Sequence, residues 1–593
     1  MTADVRDDGF RGPDPVRGGR DDGFRGPDPV RGGDGGREAG RGDGFSGRDG
    51  FRGEGRGSGA VFRGQRETGD ARADRGEGFR GRDGDRGRSG GGDGFRGRDA
   101  GRGGDGRGGG FRGRDGGRGG ARRGGDGGRG RGPAGGRGGR PTVDPARFAA
   151  YEAVAAVHRD DAYANLVLPN ILRDRDVRGR DAAFATELTY GALRSLGTLD
   201  AVIAVAAGRE VDRIDPPARD ALRLGAYQIL YMRVPAHAAV SSTVDLVRIV
   251  APGATGFANA VLREITTRDA DAWVEQLAPS YEKDPVGNLS LSYSHPQWIV
   301  RAFQEALGGS LDDTARLLIE DNQAPAVHLC VRPGRADAVD LAEEVGGTPG
   351  AFSPYAVYLA GGAPGDLAAI RDGRAHVQDE GSQLVATALA DAPIEGDDAR
   401  WLDLCAGPGG KAGLLAALAA QRGAHLTAVE VTPHRAELVT RAVAGFPATV
   451  LNTDGRTVGR DPDLPEQGFD RVLVDAPCTG LGALRRRPES RWRRQPSDLP
   501  PLTRLQRELL TAALRAVRPG GVVGYVTCSP HMVETHVSVT EGTRRADIPV
   551  DFVDARPLLP AGMPGLGTGP TVQLWPHRHG TDAMFLAVLR RTA

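Results

Sequence analysis

Two cysteines occupy similar positions in the carboxyl-terminal part of the sequence, and both could act as nucleophiles. Cys478 follows an apolar run that ends at Ala476, and Cys528 ends an apolar run that begins at Val522. A thiolate is a soft nucleophile that adds to electron-poor carbon atoms and can later be expelled. Most cysteines are instead buried structural thiols, so the interpretation depends on which groups lie near these two.

A glycine-rich stretch upstream of both cysteines supplies a candidate ligand-binding turn. The segment 403–411, DLCAGPGGK, lies between the apolar run Trp401 to Cys405 and the alanine-rich, helix-forming run Ala412 to Ala420. Glycines allow a ligand to approach the backbone, and the start of a helix directs free amide groups towards that ligand. A plain strand-to-helix turn is the alternative, since the chain contains 93 glycines.

The spacing of this turn favours one class of ligand. It lacks the GxxxxGK[ST] spacing of a phosphate loop, and no magnesium-binding pattern accompanies it. A nucleoside that carries a charged amino-acid tail fits better, and the predicted cofactor is therefore S-adenosylmethionine.

The surrounding pattern predicts an α/β domain over residues 376–593 that brings these groups together. Apolar strand candidates alternate with helical segments, which indicates a doubly wound parallel sheet whose ligands bind at the carboxyl ends of the strands. Glu430 lies 27 positions after Asp403, where an acid typically receives ribose hydroxyl groups. The predicted strands are Trp401–Cys405, His425–Val431, Ala448–Asn452, Arg471–Ala476 and Val522–Cys528, and the polar or reactive residues near the ends of the last four are Glu430, Asp454, Asp475, Cys478 and Cys528.

A pair of thiols beside a methyl donor suits the methylation of a pyrimidine carbon. Cytosine C5 is a poor nucleophile, so its methylation requires prior attack on C6, which a thiolate performs well. A second thiol could assist removal of the C5 proton or release of the covalent product. The sequence therefore predicts two cysteines that converge on one cofactor crevice.

The first 140 residues differ in composition from the rest of the chain. They contain 32 Arg, no Lys and 23 acidic residues, a net charge of +9 that an opposite charge in the remainder cancels. The repeat DDGFRGPDPVRGGR, few aliphatic residues and dense charge predict a disordered tail. Arg-Gly repeats with interspersed Phe suit loose RNA contact; codon drift in a GC-rich genome is the alternative origin.

The middle of the chain is predicted to hold two further domains. Over 141–275, apolar residues three and four apart indicate a helix bundle, with helices predicted at Asp181–Leu196 and Ala218–Tyr231. Over 285–375 we expect a small mixed connecting domain, in which His295 is a turn residue and Cys330 a core thiol. The chain has four cysteines without a CxxC pair and no apolar run long enough to span a bilayer, so we expect a cytoplasmic protein with no structural metal and no membrane partner.

Several stretches resemble a known family. YANLVLP, RDAAFATELTYGALR, ALRLGAYQILYMRVPAHAAV and GFANAVLR resemble the NusB-like RNA-binding fold. DLCAGPGGK, DAPCTGLG and TCSP, with VQDEGSQL upstream and HGTDAMF near the end, resemble the Sun/RsmB family of RNA cytosine-C5 methyltransferases with a class I (Rossmann-like) methyltransferase domain. The resemblance covers about residues 141–593, and this sequence departs from it at Gly407, Ala412, Thr479 and Thr535, where Ala, Thr, Ser and Asn are usual.

The resemblance implies roles for individual residues. Cys528 would be the covalent nucleophile and Cys478 the cysteine that releases the product. The implied cofactor site comprises Cys405, Ala406, Gly407, Pro408, Gly409, Gly410, Lys411, Glu430, Asp454 and Asp475, although the residue pattern alone assigns Cys405 to the buried structural thiols. The implied substrate is RNA, and specifically small-subunit ribosomal RNA, for a protein that we expect to be monomeric.

Basic residues near the second cysteine motif could contact that RNA. Lys411 is one of two lysines in the chain, which suggests contact with the cofactor or target nucleotide rather than a helix-start residue spared by chance. Phosphate contact is predicted for Arg485, Arg486 and Arg487, together with Arg491, Arg493 and Arg494; a solvated basic face is the alternative. Two other functions stay open, a catalytically silent RNA-binding assembly factor and a DNA methyltransferase, and the cysteine pair and the NusB-like stretches respectively disfavour them.

Overall fold

The computed structural model describes residues 143–362 and 364–593. The predicted Arg-Gly tail over residues 1–140 lies outside this part of the chain.

The first part of the described chain is a bundle of helices. Its first helix begins where Pro145 follows Asp144, whose carboxylate accepts a hydrogen bond from the Arg147 amide, and the predicted helix at 181–196 is divided at Ser195 into two. Apolar side chains from these helices form one continuous core. The helices are α1 Pro145–Arg159, α2 Ala164–Asp174, α3 Gly179–Arg194, α4 Leu196–Ala207, α5 Pro216–Tyr231, α6 Ala236–Val250, α7 Thr255–Ile265 and α8 Ala270–Leu277.

No single helix in the described ranges is long and apolar enough to cross a membrane; the bent pair α3 and α4 passes that test by length and composition alone.

A helical segment and a small sheet connect this bundle to the rest of the chain. The helices are α9 Pro285–Ser292, α10 Gln297–Ala306 and α11 Leu311–Asp321, followed by α12 Ala338–Val345 and α13 Ala368–Arg371. The antiparallel sheet has the order β2-β3-β1-β4, with strands β1 Val327–Val331, β2 Thr348–Pro349, β3 Ala356–Leu359 and β4 Ala375–Val377. His295 lies in the turn before α10 with its Nδ1 2.7 Å from the Tyr293 carbonyl oxygen, and Cys330 is fully buried, which raises its thiol pKa.

The carboxyl-terminal region contains a larger sheet with the order β10-β12-β9-β8-β5-β6-β7, to which β11 is added beside β12. Its strands are β5 Arg400–Asp403, β6 His425–Val429, β7 Ala448–Leu451, β8 Phe469–Asp475, β9 Val517–Thr527, β10 Val550–Val553, β11 Val572–Gln573 and β12 Phe585–Arg591. Its helices are α14 Glu380–Asp391, α15 Gly410–Gln421, α16 Pro433–Val443, α17 Ser490–Arg493, α18 Leu499–Ala516, α19 His536–Ala546 and α20 Pro576–His579.

The sheet is mixed rather than wholly parallel, which corrects the sequence-based expectation. The five predicted strands, β5 to β9, do pair in parallel, but β12 pairs antiparallel with β9, and β10 and β11 pair antiparallel with β12. One core cluster packs α14, α15 and α16 on one face of the sheet, and another packs α18 and α19 on the opposite face. Layers on both faces leave the carboxyl edge of the parallel strands accessible to ligands.

Candidate active site

The residues predicted for the cofactor site lie along the carboxyl edge of the parallel strands. Cys405 to Gly409 form the turn between β5 and α15, and Gly410 and Lys411 begin α15. Glu430 follows β6 directly, Asp454 lies after β7, and Asp475 is the last residue of β8. The strand order therefore places residues that are far apart in sequence side by side.

Glu430 and the glycine turn are bonded to each other. The Gly407 amide donates to Glu430 Oε2 at 3.1 Å, and the Thr432 amide donates to Oε1 at 2.8 Å. A Cβ at position 407 would lie 2.1 Å from Oε2, so glycine at this position makes room for the carboxylate. Gly409 has φ +114°, a conformation that L side chains rarely adopt. The close approach of the turn to Glu430 thus depends on Gly407, whereas Gly409 lets the turn lie against α16.

A buried cation lies between two carboxylates next to the turn. Lys411 Nζ is 2.9 Å from Asp475 Oδ2. Burial lowers the pKa of Lys411, but Asp475 above all, and then Cys528 and Asp403, outweigh burial and raise that pKa. Asp403 is fully buried; its burial, and next the charge of Asp475, raise its pKa to about 7. Its Oδ2 atom has no hydrogen-bond partner within the described chain.

The two predicted catalytic cysteines meet at the same edge. Cys528 follows β9, Cys478 lies in the loop after β8, and their Sγ atoms are 3.4 Å apart. The hydrogen bond with Cys528, and then burial, raise the pKa of Cys478 well above the usual thiol value. Cys478 therefore keeps its proton, and its S–H group can donate to the sulfur of Cys528.

Two side chains that sequence reasoning missed hold the Cys478 loop. Glu534 accepts hydrogen bonds from the Thr479 amide at 2.8 Å and from the Thr479 hydroxyl group. Gln506 donates to the Pro477 carbonyl oxygen at 2.9 Å and to Glu534 at 3.1 Å. Glu534 and Gln506 are fully buried. The acid six residues after Cys528 was visible in the sequence, but only the fold shows that it is buried and bonded to Thr479.

A cleft of about 310 Å³ opens at Cys528 and Lys411. All three parts of the described chain contribute to its walls. The helix bundle supplies Asn165, Thr186, Glu187, Tyr190 and Arg194; the connecting region and the start of α14 supply residues that include Pro325, His328, Gln378 and Asp379; the α/β region supplies residues that include Arg485, Arg486, Arg487, Asp582 and Met584.

The stretches VQDEGSQL and HGTDAMF, far apart in sequence, meet at this cleft. Arg486 donates to Asp379 Oδ2 at 2.7 Å and to Asp582 Oδ1 at 2.9 Å, and the Asp582 amide donates to Asp379 Oδ1 at 3.0 Å. Burial raises the pKa of Asp379, but the Arg486 guanidinium above all outweighs that effect and holds it well below the usual range. Asp379 and Asp582, one from each stretch, thus hold Arg486 in the chain segment that follows Cys478.

Several arginines that follow Cys478 are bonded to other parts of the protein, whereas side chains that bind phosphate groups would point their guanidinium groups towards solvent. Arg485 is 3% exposed and donates to the Gly580 carbonyl oxygen, and Arg491 is fully buried against the carbonyl oxygens of Arg194 and Asp321. The Arg487 guanidinium lies 5.2 Å from the centre of the Tyr163 ring. Arg485 and Arg491 therefore do not form the solvated basic face that was the alternative to phosphate contact: they join separate parts of the chain, because their long stems reach carbonyl groups at helix ends. Arg485, Arg486 and Arg487 still line the cleft, and RNA contact by them stays a prediction.

Asp454 is separate from the bonded group around Lys411. Its carboxylate accepts a hydrogen bond from the Arg456 amide at 2.9 Å and pairs with the Arg456 guanidinium at 2.6 Å, which in turn pairs with Glu508 at 2.7 Å. Arg456 above all lowers the pKa of Asp454. A contact between Asp454 and a cofactor stays a prediction.

The turn, the acids and the lysine fit S-adenosylmethionine. The unpartnered Asp403 oxygen suits a ligand with an ammonium group, and the nearly buried Glu430 beside the glycine turn suits ribose hydroxyl groups. No group of three or more His, Cys, Asp or Glu side chains in residues 143–362 and 364–593 is placed to hold a metal ion. The fold and this site define a class I S-adenosylmethionine-dependent methyltransferase.

Comparison with known proteins identifies the family. The family model of 16S rRNA methyltransferase RsmB/F matches residues 386–590, and that of the NusB family matches residues 144–267. A methyltransferase of Mycobacterium tuberculosis (strain H37Rv) is 58% identical over 76% of this chain and 98% of its own length. Ribosomal RNA small subunit methyltransferase B of Shigella flexneri serotype 5b is 34% identical over 65% of this chain and 86% of its own length.

The fold has a counterpart among solved structures. The crystal structure of PH0851 covers 76% of this chain and 99% of its own, with a TM-score of 0.63 at 23% identity. The chain belongs to the RsmB/F family of rRNA methyltransferases and carries an amino-terminal NusB-family domain. Its methyl donor is S-adenosylmethionine, as the sequence predicted.

Proposed function

We propose that this protein methylates C5 of a cytosine in 16S rRNA through a covalent bond between Cys528 and C6. The observation that carries the proposal is the approach of the Cys478 and Cys528 sulfur atoms to 3.4 Å at the edge that also holds the cofactor turn. A structural pair of thiols would need no cleft, whereas Cys528 lines one together with Lys411.

Cys528 acts first. Its thiolate adds to C6, so that an S–C6 bond forms and the electrons of the C5–C6 double bond make C5 nucleophilic. The ammonium group of Lys411, which stays protonated beside Asp475, lines the same cleft as Cys528 and places a positive charge near the reacting sulfur. Bound S-adenosylmethionine supplies the electrophilic methyl group that C5 accepts.

Cys478 acts in the release of the product. C5 loses its proton to solvent, the C5–C6 double bond forms again, and the S–C6 bond breaks, returning its electron pair to Cys528. The sulfur of Cys528 carries negative charge before addition and after expulsion. The Cys478 thiol, which keeps its proton and lies 3.4 Å away, stabilises that charge by donating a hydrogen bond.

The domain arrangement supports RNA as the substrate, and a cytoplasmic location is a further part of this proposal. The cleft that contains Cys528 is partly walled by the NusB-family helices, and the relative from Shigella flexneri is named for ribosomal RNA. The boundaries predicted for the three folded domains, 141–275, 285–375 and 376–593, and a monomeric state are parts of this proposal. A catalytically silent assembly factor would have no use for the two adjoining thiols.

The test uses 16S rRNA from cells that lack the gene. Purified protein and labelled S-adenosylmethionine should restore one 5-methylcytosine, measured by digestion to nucleosides and mass spectrometry. Cys528→Ala should restore none, whereas Cys330→Ala, in a buried thiol of β1, should retain activity. A methyl group recovered on cytosine N4, or on no cytosine, would contradict the proposal.

A further inference from the structure

The helix bundle contributes polar atoms to the wall of the cleft that faces the active site. Asn165 on α2 and Tyr190 and Arg194 on α3 line the same cleft as Lys411 and Cys528. These residues belong to the NusB-family region, whereas the proposed chemistry is carried out by the α/β region. The helical region is thus close enough to contact whatever enters the cleft.

Three of these polar atoms have no partner in the described protein. The Tyr190 hydroxyl group, Asn165 Oδ1 and Arg194 Nε are buried and form no hydrogen bond with residues 143–362 or 364–593. Tyr190 is only 4% exposed. Buried polar groups in proteins are almost always hydrogen-bonded. By contrast, the hydroxyl group of Tyr227, which is also buried, donates to Glu187 at 2.7 Å.

We infer that Tyr190 and Asn165 bind the base of the nucleotide next to the target cytosine and so determine which sequence is methylated. This inference rests on the proposed function. The target base must reach Cys528, which lines the same cleft as Asn165 and Tyr190, so these two side chains are placed to contact its neighbour.

The chemistry of these side chains matches a base edge. A tyrosine hydroxyl group both donates and accepts, and an asparagine amide offers one acceptor and two donors. Single-stranded RNA is recognised through such contacts to bases that are turned away from their stack. Asn and Tyr side chains also contact phosphate groups, and the experiment below separates the two, because a phosphate contact would not discriminate between bases. Tyr190 and Asn165 are therefore specificity-determining residues in this account.

The experiment measures kcat/KM on 16S rRNA transcripts in which the nucleotide on each side of the target cytosine is varied in turn. The wild-type protein should discriminate between neighbouring bases at one side by about tenfold or more, the effect of about one good hydrogen bond. Tyr190→Phe and Asn165→Ala should each reduce that discrimination by about tenfold. Tyr151→Phe, on α1 and outside the cleft lining, should leave it unchanged.

Folding and cofactor binding serve as further readouts. Because the Tyr190 hydroxyl group has no hydrogen-bond partner among the described residues, Tyr190→Phe should preserve the melting temperature and the affinity for S-adenosylmethionine. Unchanged discrimination in both variants, an equal loss on every transcript, or a wild-type protein indifferent to both neighbours would overturn the inference alone. A wild-type protein that methylates no cytosine in any transcript would overturn the proposed function and this inference with it.

Discussion

Lys411 joins the cofactor turn to the candidate nucleophile. A compact ammonium group suits this buried position, because it donates to Asp475 at 2.9 Å and also interacts with Cys528 and Asp403. A guanidinium group is larger and planar, and it would need several acceptors in one plane. The preference for lysine here, in a chain whose only other lysine is Lys283, therefore has a local physical reason.

Glu430 is predicted to contribute to cofactor affinity. Glu430→Ala should weaken S-adenosylmethionine binding by about 1.5–3 kcal/mol, because it removes a charge-assisted hydrogen bond to the cofactor. It also removes the carboxylate that accepts a hydrogen bond from the Gly407 amide and so holds the turn. Isothermal titration calorimetry measures the change. Glu437→Ala, on an exposed position of α16, is the matched control and should have no effect. Equal affinities of the two variants would mean that the cofactor lies elsewhere.

Asp403 should make stability depend on pH. Its pKa is raised from 3.8 to about 7, chiefly by burial, so between these values the folded protein binds a proton that the unfolded chain does not. The free energy of unfolding therefore falls as pH rises through this range. Asp403→Asn cannot bind or release this proton, so its stability lacks this dependence on pH. The free energy of unfolding of Asp403→Asn minus that of the wild type should therefore increase by up to about 4 kcal/mol from pH 4 to pH 7.

Urea unfolding of the cofactor-free proteins at several pH values checks this prediction. Titratable groups that do not interact with Asp403 are common to both proteins and cancel in the difference, which leaves Asp403 and its neighbours Asp475, Lys411 and Glu430. A difference that stays constant with pH would show that Asp403 is already ionised in the folded state.

At the scale of elements, the short helix α17 connects regions that are distant in sequence. Arg491 donates to the carbonyl oxygen of Arg194 at 3.0 Å, where α3 ends, and to that of Asp321 at 2.6 Å, where α11 ends. Cations are favoured at such carboxyl-terminal helix ends. Arg491 also donates to Asn322 Oδ1 at 2.6 Å, and burial lowers its pKa to about 9.

Arg491→Ala should therefore destabilise the protein. Loss of this buried side chain leaves several carbonyl groups without their donor, and we expect a decrease of about 3–5 kcal/mol in the free energy of unfolding. Arg441→Ala, at an exposed position of α16, should change it by less than about 0.5 kcal/mol. Thermal unfolding of both variants provides the comparison, and similar melting temperatures would contradict the role given to α17.

The parallel strands were predictable because each is a short apolar run followed by a polar or reactive residue. The strand β12 was not predicted, although it lies at the centre of the antiparallel part of the sheet. Its run Phe585–Arg591 ends in two arginines, and only its pairing with β9 and β10 gives it a place. Likewise, apolar spacing alone could not divide α3 from α4, since both bury apolar residues on either side of Ser195.

The candidate site was predictable where one motif contains the whole feature and was not predictable where two motifs meet. The turn 403–411 and the two cysteine motifs could be recognised individually. The ion pair between Arg486 and Asp379 spans 107 residues, and the sequence carries no signal of it. The internal partners of Arg485 and Arg491 could not be predicted for the same reason: charge is visible in a sequence, but the carbonyl groups that bind it are not.

At the scale of the whole molecule, the charge of the first 140 residues should matter for RNA binding. Deletion of residues 1–140 should preserve cofactor affinity and weaken RNA binding most at low salt, because phosphate contacts release counterions. A full-length variant with the arginines of residues 101–140 changed to glutamine separates charge from length, since this part carries a net charge of +8. Filter binding over a range of salt concentrations measures the effect. Equal RNA affinities at low ionic strength would favour codon drift as the origin of the tail.

The central claim is that Cys528 forms a bond with the RNA and Cys478 allows that bond to break. Cys478→Ala should permit attack and methyl transfer but hinder elimination, so that protein stays joined to methylated RNA. Cys528→Ala should form no adduct, because the nucleophile is absent.

Denaturing gel electrophoresis with labelled 16S rRNA is the direct measurement. We expect a slowly migrating protein–RNA band for Cys478→Ala and none for Cys528→Ala. The reverse pattern would exchange the two roles. The absence of an adduct from both variants, and from the unmodified protein given RNA with a mechanism-trapping cytosine analogue, would contradict covalent catalysis.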